Sequence, residues 1–283
     1  MPKVSTTAEP SYEVWVSGQI PTSGTLPTGA PQQWSPLSTT LIHGASDAIL
    51  VDPPFTVEQT RQVGDRVERS GKNLTHVYIT HGHGDHWFGA SLLAERFPGA
   101  VVVATEGTIR LMHASISGRR RSFWDTLFPG QLPDLRVTAQ PVPAGGLVLE
   151  GHELRPIEVG HSDGDDSTVL HVPVLGLVVA GDVAYNNVHQ YLADGGFDGG
   201  IDAWLHAIET VRALRPAAVV AGHKDPDRPD DPRILDETAE YLRTALEVVA
   251  AKPTPRAFFD EMTQRYPDRL NPGTVWLNAQ RLA

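Results

Sequence analysis

Four side chains able to hold a metal ion fall within six residues of this 283-residue chain, in the run His81-Gly82-His83-Gly84-Asp85-His86. Imidazole nitrogen and carboxylate oxygen suit zinc, and also iron or manganese. Gly82 and Gly84 have no Cβ, so the loop can turn sharply and crowd its ligands together. A lone histidine would read as part of a polar turn; three with an aspartate at this spacing have no packing rationale. Three further candidates stand in similar settings: His161 in Val159-Gly160-His161-Ser162, Asp182 in Ala180-Gly181-Asp182, and His223 in Ala221-Gly222-His223. Each follows an apolar run and then a glycine. Together these are seven metal-compatible side chains at the ends of four expected strands, where the loops of α/β folds commonly carry function.

The elements that must position them follow from periodicity. Strands are expected at 39–43 and 48–51 around a turn, at 76–80 just before the histidine loop, and at 101–104. Further strands are expected at 147–149, 154–159, 168–172, 177–180 and 217–221. Val57, Thr60, Val63 and Val67 share a face at helical spacing, and Gly71 suits the stop of a helix over 57–69. Other helices are expected at 88–97, 106–115, 122–128, 201–214 and 232–250. Arg119, Arg120 and Arg121 fall between two of these as a solvated turn, with an anion-binding patch as the functional alternative. Residues 18–38, rich in Pro, Gly, Ser and Thr around Trp34, read as a long loop or flap. Two helices over 256–266 and 272–282 form a C-terminal extension within 251–283. Strands and helices mix in both halves with no long linker, which favours one α/β domain over 1–283, with two sheets and outer helices.

Composition narrows the chemistry. There is no cysteine, so thiolate metal sites, iron–sulfur clusters, disulfides and cysteine nucleophiles are excluded together. The 23 basic and 34 acidic side chains give a net charge of −11, which weighs against a polyanionic partner such as a nucleic acid. No apolar run reaches the ~18 residues of a membrane span, and the first residues lack a signal-peptide pattern. The expectation is a cytoplasmic protein acting on a small molecule, with no nucleic-acid or membrane partner. A homo-oligomer stays open, the two C-terminal helices being plausible interface material.

The first loop matches the HxHxDH signature of the metallo-β-lactamase superfamily, and the later His, Asp and His arrive in that family's order. The chain therefore resembles that superfamily over about residues 39–224. The resemblance implies a four-layer αβ/βα sandwich of two mixed sheets with outer helices, and a metal site at one edge of the sheets. Carried over residue by residue, it implies one metal on His81, His83 and His161, a second on Asp85, His86 and His223, and Asp182 bridging both. The implied cofactor is a pair of divalent transition metals, zinc first, with iron or manganese as alternatives. Two cations sharing a water generate hydroxide near neutral pH, one metal polarises the substrate oxygen, and Asp85 can move a proton toward the leaving group.

Around this set, Tyr185 lies three residues past Asp182, the offset at which a tyrosine contacts the substrate carbonyl in the superfamily's quorum-quenching lactonases. Tyr185 is thus a candidate oxyanion donor, with packing under the site as the alternative reading. Trp87, Phe88 and His189 are further candidates for lining the substrate pocket, Phe88 standing where many members have a small residue; the alternatives are core packing at the following helix for Phe88 and a surface or core histidine for His189. One of Asp163, Asp165 and Asp166 can support a ligand from behind. The expected function is a zinc-dependent dinuclear hydrolase that cleaves a lactone, ester or thioester. A β-lactam hydrolase is the first alternative; a phosphodiesterase or nuclease, or an iron-dependent oxygenase of the same fold, follows.

Overall fold

A computed structural model describes residues 9–282. Its larger sheet holds β1 (Ser11–Ser17), β4 (Leu37–His43), β5 (Asp47–Val51), β6 (Asn73–Tyr78), β7 (Val101–Ala104) and β8 (Gln140–Pro141), in the order β1-β4-β5-β6-β7-β8. Between them in sequence, β2 (Ile20–Thr25) and β3 (Pro31–Trp34) form a separate hairpin. The second sheet runs β13-β12-β11-β10-β9 and is built from β9 (Leu147–Leu149), β10 (His152–Gly160), β11 (Ser167–Val172), β12 (Leu177–Asn186) and β13 (Ala218–Lys224). Strands β5 to β8 pair in parallel, as do β12 and β13; the remaining pairs are antiparallel, so both sheets are mixed.

Side-chain alternation along the strands makes the layers. Ile42, Ile49, Val51 and Tyr78 of the first sheet meet Leu154, Leu170, Val172 and Val220 of the second in one buried cluster between them. The opposite faces take helices. Leu41, Leu50 and Val77 pack under α1 (Val57–Ser70), α2 (Ala90–Arg96), α3 (Glu106–Ser115) and α4 (Gly118–Leu127). Val169, Val178 and Val219 pack under α5 (Gly200–Ala213), α6 (Ile234–Ala250), α7 (Pro255–Arg265) and α8 (Pro272–Ala279). This is the expected helix–sheet–sheet–helix sandwich. Helix α1 starts where the Thr56 side chain caps the backbone N–H of Gln59 and stops at Gly71, whose φ of 67° few other residues adopt. Among the described residues, no helix is long and apolar enough to cross a membrane.

Several local expectations need correction. Residues 18–38 are not one long loop: Ile20 pairs with Trp34 and Pro21 with Gln33 across the β2–β3 hairpin, and β4 already begins at Leu37. Proline, serine and glycine hide these strands from a propensity reading. Strand β1 was not anticipated; it is an edge strand with one buried residue, Trp15, and so has little apolar alternation. Arg119, Arg120 and Arg121 lie in the first turn of α4 rather than in a turn between helices. Asp182 and His223 do not follow their strands but sit inside β12 and β13, which continue past Gly181 and Gly222 through two irregularities of register. Such bulges re-aim side chains beside functional sites.

Candidate metal centre

The loop after β6 is organised by a carboxylate from the neighbouring strand. Asp52 follows β5 in a left-handed conformation, φ 51°. Its Oδ1 accepts from the Thr80 backbone N–H at 2.9 Å, and its Oδ2 accepts from the Thr80 hydroxyl at 2.7 Å. With its proton spent there, the Thr80 oxygen accepts from His81 Nδ1 at 3.0 Å. Asp52 Oδ2 also accepts from His86 Nδ1 at 3.2 Å. Two imidazoles are thereby held with Nδ1 protonated and Nε2 bare, which is how outer partners commonly set the tautomer of a ligating histidine. Trp87 and Phe88 are each 1% exposed. The Trp87 indole N–H donates to the Gly82 carbonyl at 3.2 Å, and the Phe88 ring lies so close to Gly84 that a Cβ there would come within 2.2 Å of it. They form the floor under the loop and do not line the substrate cavity as expected.

The side chains gather into two groups. Asp85, His86 and His223 each offer a ligand atom within 4.8 Å of the others, and so do His81, His83 and Asp163. Asp182 reaches into the first group: its Oδ1 lies 3.2 Å from His86 Nε2 and its Oδ2 lies 3.2 Å from His223 Nε2. This approach needs a glycine at 222, where a Cβ would sit 2.1 Å from Asp182 Oδ1. In the second group, Asp163 Oδ2 is 2.7 Å from His83 Nδ1 and 3.8 Å from His81 Nε2. His161 is not brought to this group. Its Nδ1 bonds Asp165 Oδ1 at 2.8 Å, and its Nε2 lies over Gly200, where a Cβ would be 2.5 Å away. Asp163 stands where the resemblance implied His161.

The donor set fits divalent metals on two observations. Nε2 of His81 and of His161 are buried without a hydrogen-bond partner, and Nε2 of His86 and Oδ1 of Asp182 face each other at 3.2 Å without hydrogen-bond geometry; polar atoms buried this way are costly unless a cation takes them. Asp52, Asp85, Asp163 and Asp182 are also all buried, and no Lys or Arg pairs with any of them among the described residues. Their charge is met by imidazoles alone. Burial works against the charged form of His86 and His223, yet Asp182 and Asp85 outweigh it, raising His86 well above the usual range and His223 to about 10. His83 is likewise raised, Asp163 and Asp194 overcoming burial. His81 is lowered by burial and by the neighbouring His86. Burial pushes the Asp163 carboxyl up to about 6, while Asp85 and Asp182, though buried, are held well below the carboxylate range by His86 and His223. Such a concentration of carboxylates selects positive charge, whether protons on imidazole or bound cations.

A cavity opens beside both groups, walled by Trp34, Phe123, Trp124 and Tyr191, with Arg119 and Arg120 at its side. Tyr185 lines it, and its hydroxyl donates to Asp182 Oδ2 at 2.6 Å; burial, with Asp182 alongside, keeps the phenol protonated. His189 does not reach the cavity. It is 1% exposed, with Nδ1 bonded to the Tyr241 hydroxyl at 3.0 Å. Sequence reasoning placed Trp34 only within a flap and missed Asp52 and Asp194, whose Oδ2 lies 3.2 Å from His83 Nε2 and 3.3 Å from Arg120. Only Asp52 left a partial signal, an aspartate after an apolar strand, but without the glycine that precedes Asp182.

Comparison with known proteins agrees with this geometry. The family model of the metallo-β-lactamase superfamily matches residues 33–223, a span enclosing every candidate ligand. A UPF0173 metal-dependent hydrolase of Sinorhizobium medicae is 30% identical over 171 residues, covering 53% of this chain and 72% of that protein. A metallo-β-lactamase from Pontibacter korlensis superposes with a TM-score of 0.58 at 20% identity, covering 86% of this chain and 97% of that one. The metallo-β-lactamase FIM-1 from Pseudomonas aeruginosa, in its mono-zinc form, gives 0.56 at 16% identity, covering 85% and 96%. At these identities the two solved structures speak for the fold alone. By sequence and by fold, then, the chain belongs to the metallo-β-lactamase superfamily and is a metal-dependent hydrolase.

Proposed function

We propose that the chain holds two divalent transition metals, zinc by preference, and hydrolyses a small carbonyl compound: a lactone, ester or thioester. The observation that carries this reading is the pair of ligand groups sharing one cavity, with Asp182 and Tyr185 on its wall. Asp85, His86 and His223 would hold one ion, His81 and His83 the other, with Asp182 between. Two side chains compete for the third donor of the His81/His83 position: Asp163, which is in place, and His161, whose Nε2 is bare. Bound there, divalent cations supply a hydrolytic nucleophile at neutral pH and Lewis acidity toward the carbonyl oxygen.

The chain's own groups do the rest. Trp34, Phe123, Trp124 and Tyr191 offer an apolar wall for the acyl or ring portion of a substrate and keep bulk water from it. Tyr185 holds the Asp182 carboxylate by its hydroxyl and stays a donor at all physiological pH. Asp85, with one oxygen fixed by the Trp34 indole at 3.0 Å, is the group to carry a proton toward the leaving oxygen or sulfur. A hydrolysis panel on metal-defined protein tests the reading, using lactones, aryl esters, thioesters, a chromogenic β-lactam and a bis-aryl phosphodiester. The expected result is highest kcat/KM within the lactone, ester and thioester set. Highest activity on the phosphodiester or the β-lactam would replace it.

A further inference from the structure

The segment Trp34-Ser35-Pro36 hydrogen-bonds two of the three ligands of one group and, among the described residues, none of the other. The Trp34 indole N–H donates to Asp85 Oδ2 at 3.0 Å. Two residues on, the Pro36 carbonyl lies 2.9 Å from His223 Nδ1. A carbonyl oxygen can only accept, so Nδ1 of His223 carries the proton and Nε2 is left as the ligand atom. That Nε2 faces Asp182 Oδ2 at 3.2 Å and Asp85 Oδ2 at 3.5 Å. The third member, His86, is held by Asp52.

The segment is itself anchored at its first two residues. The Trp34 ring meets Trp124 at 5.2 Å and Phe128 at 5.4 Å, both edge-on, with Phe55 at 6.3 Å. The Ser35 hydroxyl accepts from Asn271 Nδ2, and Asn271 opens helix α8 in a left-handed conformation. Supports of the other group come from elsewhere: Thr80 behind His81 and Asp194 beside His83.

We propose that this connector, which joins the N-terminal hairpin to β4, is a selective brace for the Asp85/His86/His223 metal position. It sets the affinity of that ion while leaving the His81/His83 position unaffected. The inference rests on the two-metal reading above. Outer partners of metal ligands typically change affinity by about 10- to 100-fold, and Trp34 is a positioning residue of this kind, acting through Asp85.

The test is competition between apoprotein and a zinc chelator, which resolves two binding steps in the wild-type chain. Trp34→Phe keeps an aromatic ring and removes the N–H. A second variant places 3-benzothienylalanine at position 34, which keeps the bicyclic shape and also lacks the N–H. Both are expected to weaken one step by about tenfold and leave the other within about twofold, with the apoprotein's Tm unchanged for the benzothienyl variant. Wild-type affinity in the benzothienyl variant would assign Trp34 to packing and overturn the brace. Equal weakening of both steps would overturn its selectivity. A wild-type chain that binds a single ion would overturn the two-metal reading, and the selectivity with it.

Discussion

Two sets of histidines are buried in this protein, and they are buried in opposite ways. His189 packs on Tyr241, and no carboxylate pairs with it among the described residues; its Nδ1 is bonded to the Tyr241 hydroxyl, and the Arg269 guanidinium lies 4.7 Å from the Tyr241 ring centre. Burial, reinforced by Arg269, lowers it to about 3, so it is a neutral, hydrogen-bonded core residue. His86 and His223 are equally buried, but each faces Asp182, and each has its Nδ1 spent on an outer acceptor. Burial is therefore not what marks a ligand histidine. What marks it is an Nδ1 fixed by an outer acceptor and an Nε2 aimed at carboxylates.

The widest separation between the two sets is expected in catalysis. Asp85→Ala or His86→Ala should lower kcat/KM by about 1,000-fold, roughly 4 kcal/mol of transition-state stabilisation. His189→Gln, which can still bond Tyr241, should change it by less than about threefold. Steady-state kinetics on the best substrate of the panel, with metal content measured on each variant, checks both. Full activity in Asp85→Ala, or its loss in a folded His189→Gln, would reverse the assignment.

A smaller effect divides the third donor of the His81/His83 position. Proximity favours Asp163, 2.7 Å from His83 Nδ1; the unpartnered Nε2 favours His161. With Asp163 as donor, Asp163→Ala should weaken one zinc step by about 100-fold and His161→Ala by no more than a few-fold. The opposite order would mean that the His161 side chain leaves Gly200 to bind, and would restore the ligand set the resemblance implied. Tyr185→Phe should act more weakly still. It removes the hydroxyl from Asp182 Oδ2 and is expected to lower kcat by about tenfold, ~1.4 kcal/mol, with little change in KM. An unchanged kcat/KM would leave Tyr185 as packing.

These comparisons also explain what sequence could reveal. The His81–His86 loop was legible because its ligands are neighbours in the chain and its glycines permit the turn. Two sheets with outer helices follow from the apolar strand runs and helical spacings in both halves; the four-layer stacking came only from the resemblance, because β4, β5 and β12 are buried along nearly their whole length and their sequence does not say which face meets which layer. The outer shell was not. Trp34 and Asp85 are 51 positions apart and Pro36 and His223 are 187 apart, so no local pattern signals either contact. His189 reads in sequence as a pocket residue or as a surface or core histidine, and the structure decides for the core: Tyr185 and Asn186 end a strand at the site, while the chain then turns at Asn187, φ 56°, and carries His189 away to Leu270 and Tyr241. A histidine in a site loop and a histidine in a core look alike until the partner of each ring nitrogen is known.

Acid stability tests the contrast without catalysis or metal binding, and its sign follows from His189. In the unfolded chain its imidazole takes up a proton around the ordinary value of about 6.5; in the folded chain it does so only near 3. Between those limits the unfolded state binds more protons, so this residue's contribution is intact above about pH 6.5 and is lost as pH falls toward 3. The slope is at most about 1.4 kcal/mol per pH unit. His189→Gln has no proton to take up. Urea unfolding of wild type and variant at the same metal loading, between pH 7 and pH 4.5, should show wild-type stability falling more steeply than the variant's. The difference between the two curves removes the site residues, which titrate alike in both. Parallel curves would mean that His189 is protonated in the folded protein, and that the contrast between the two histidine environments is smaller than their partners imply.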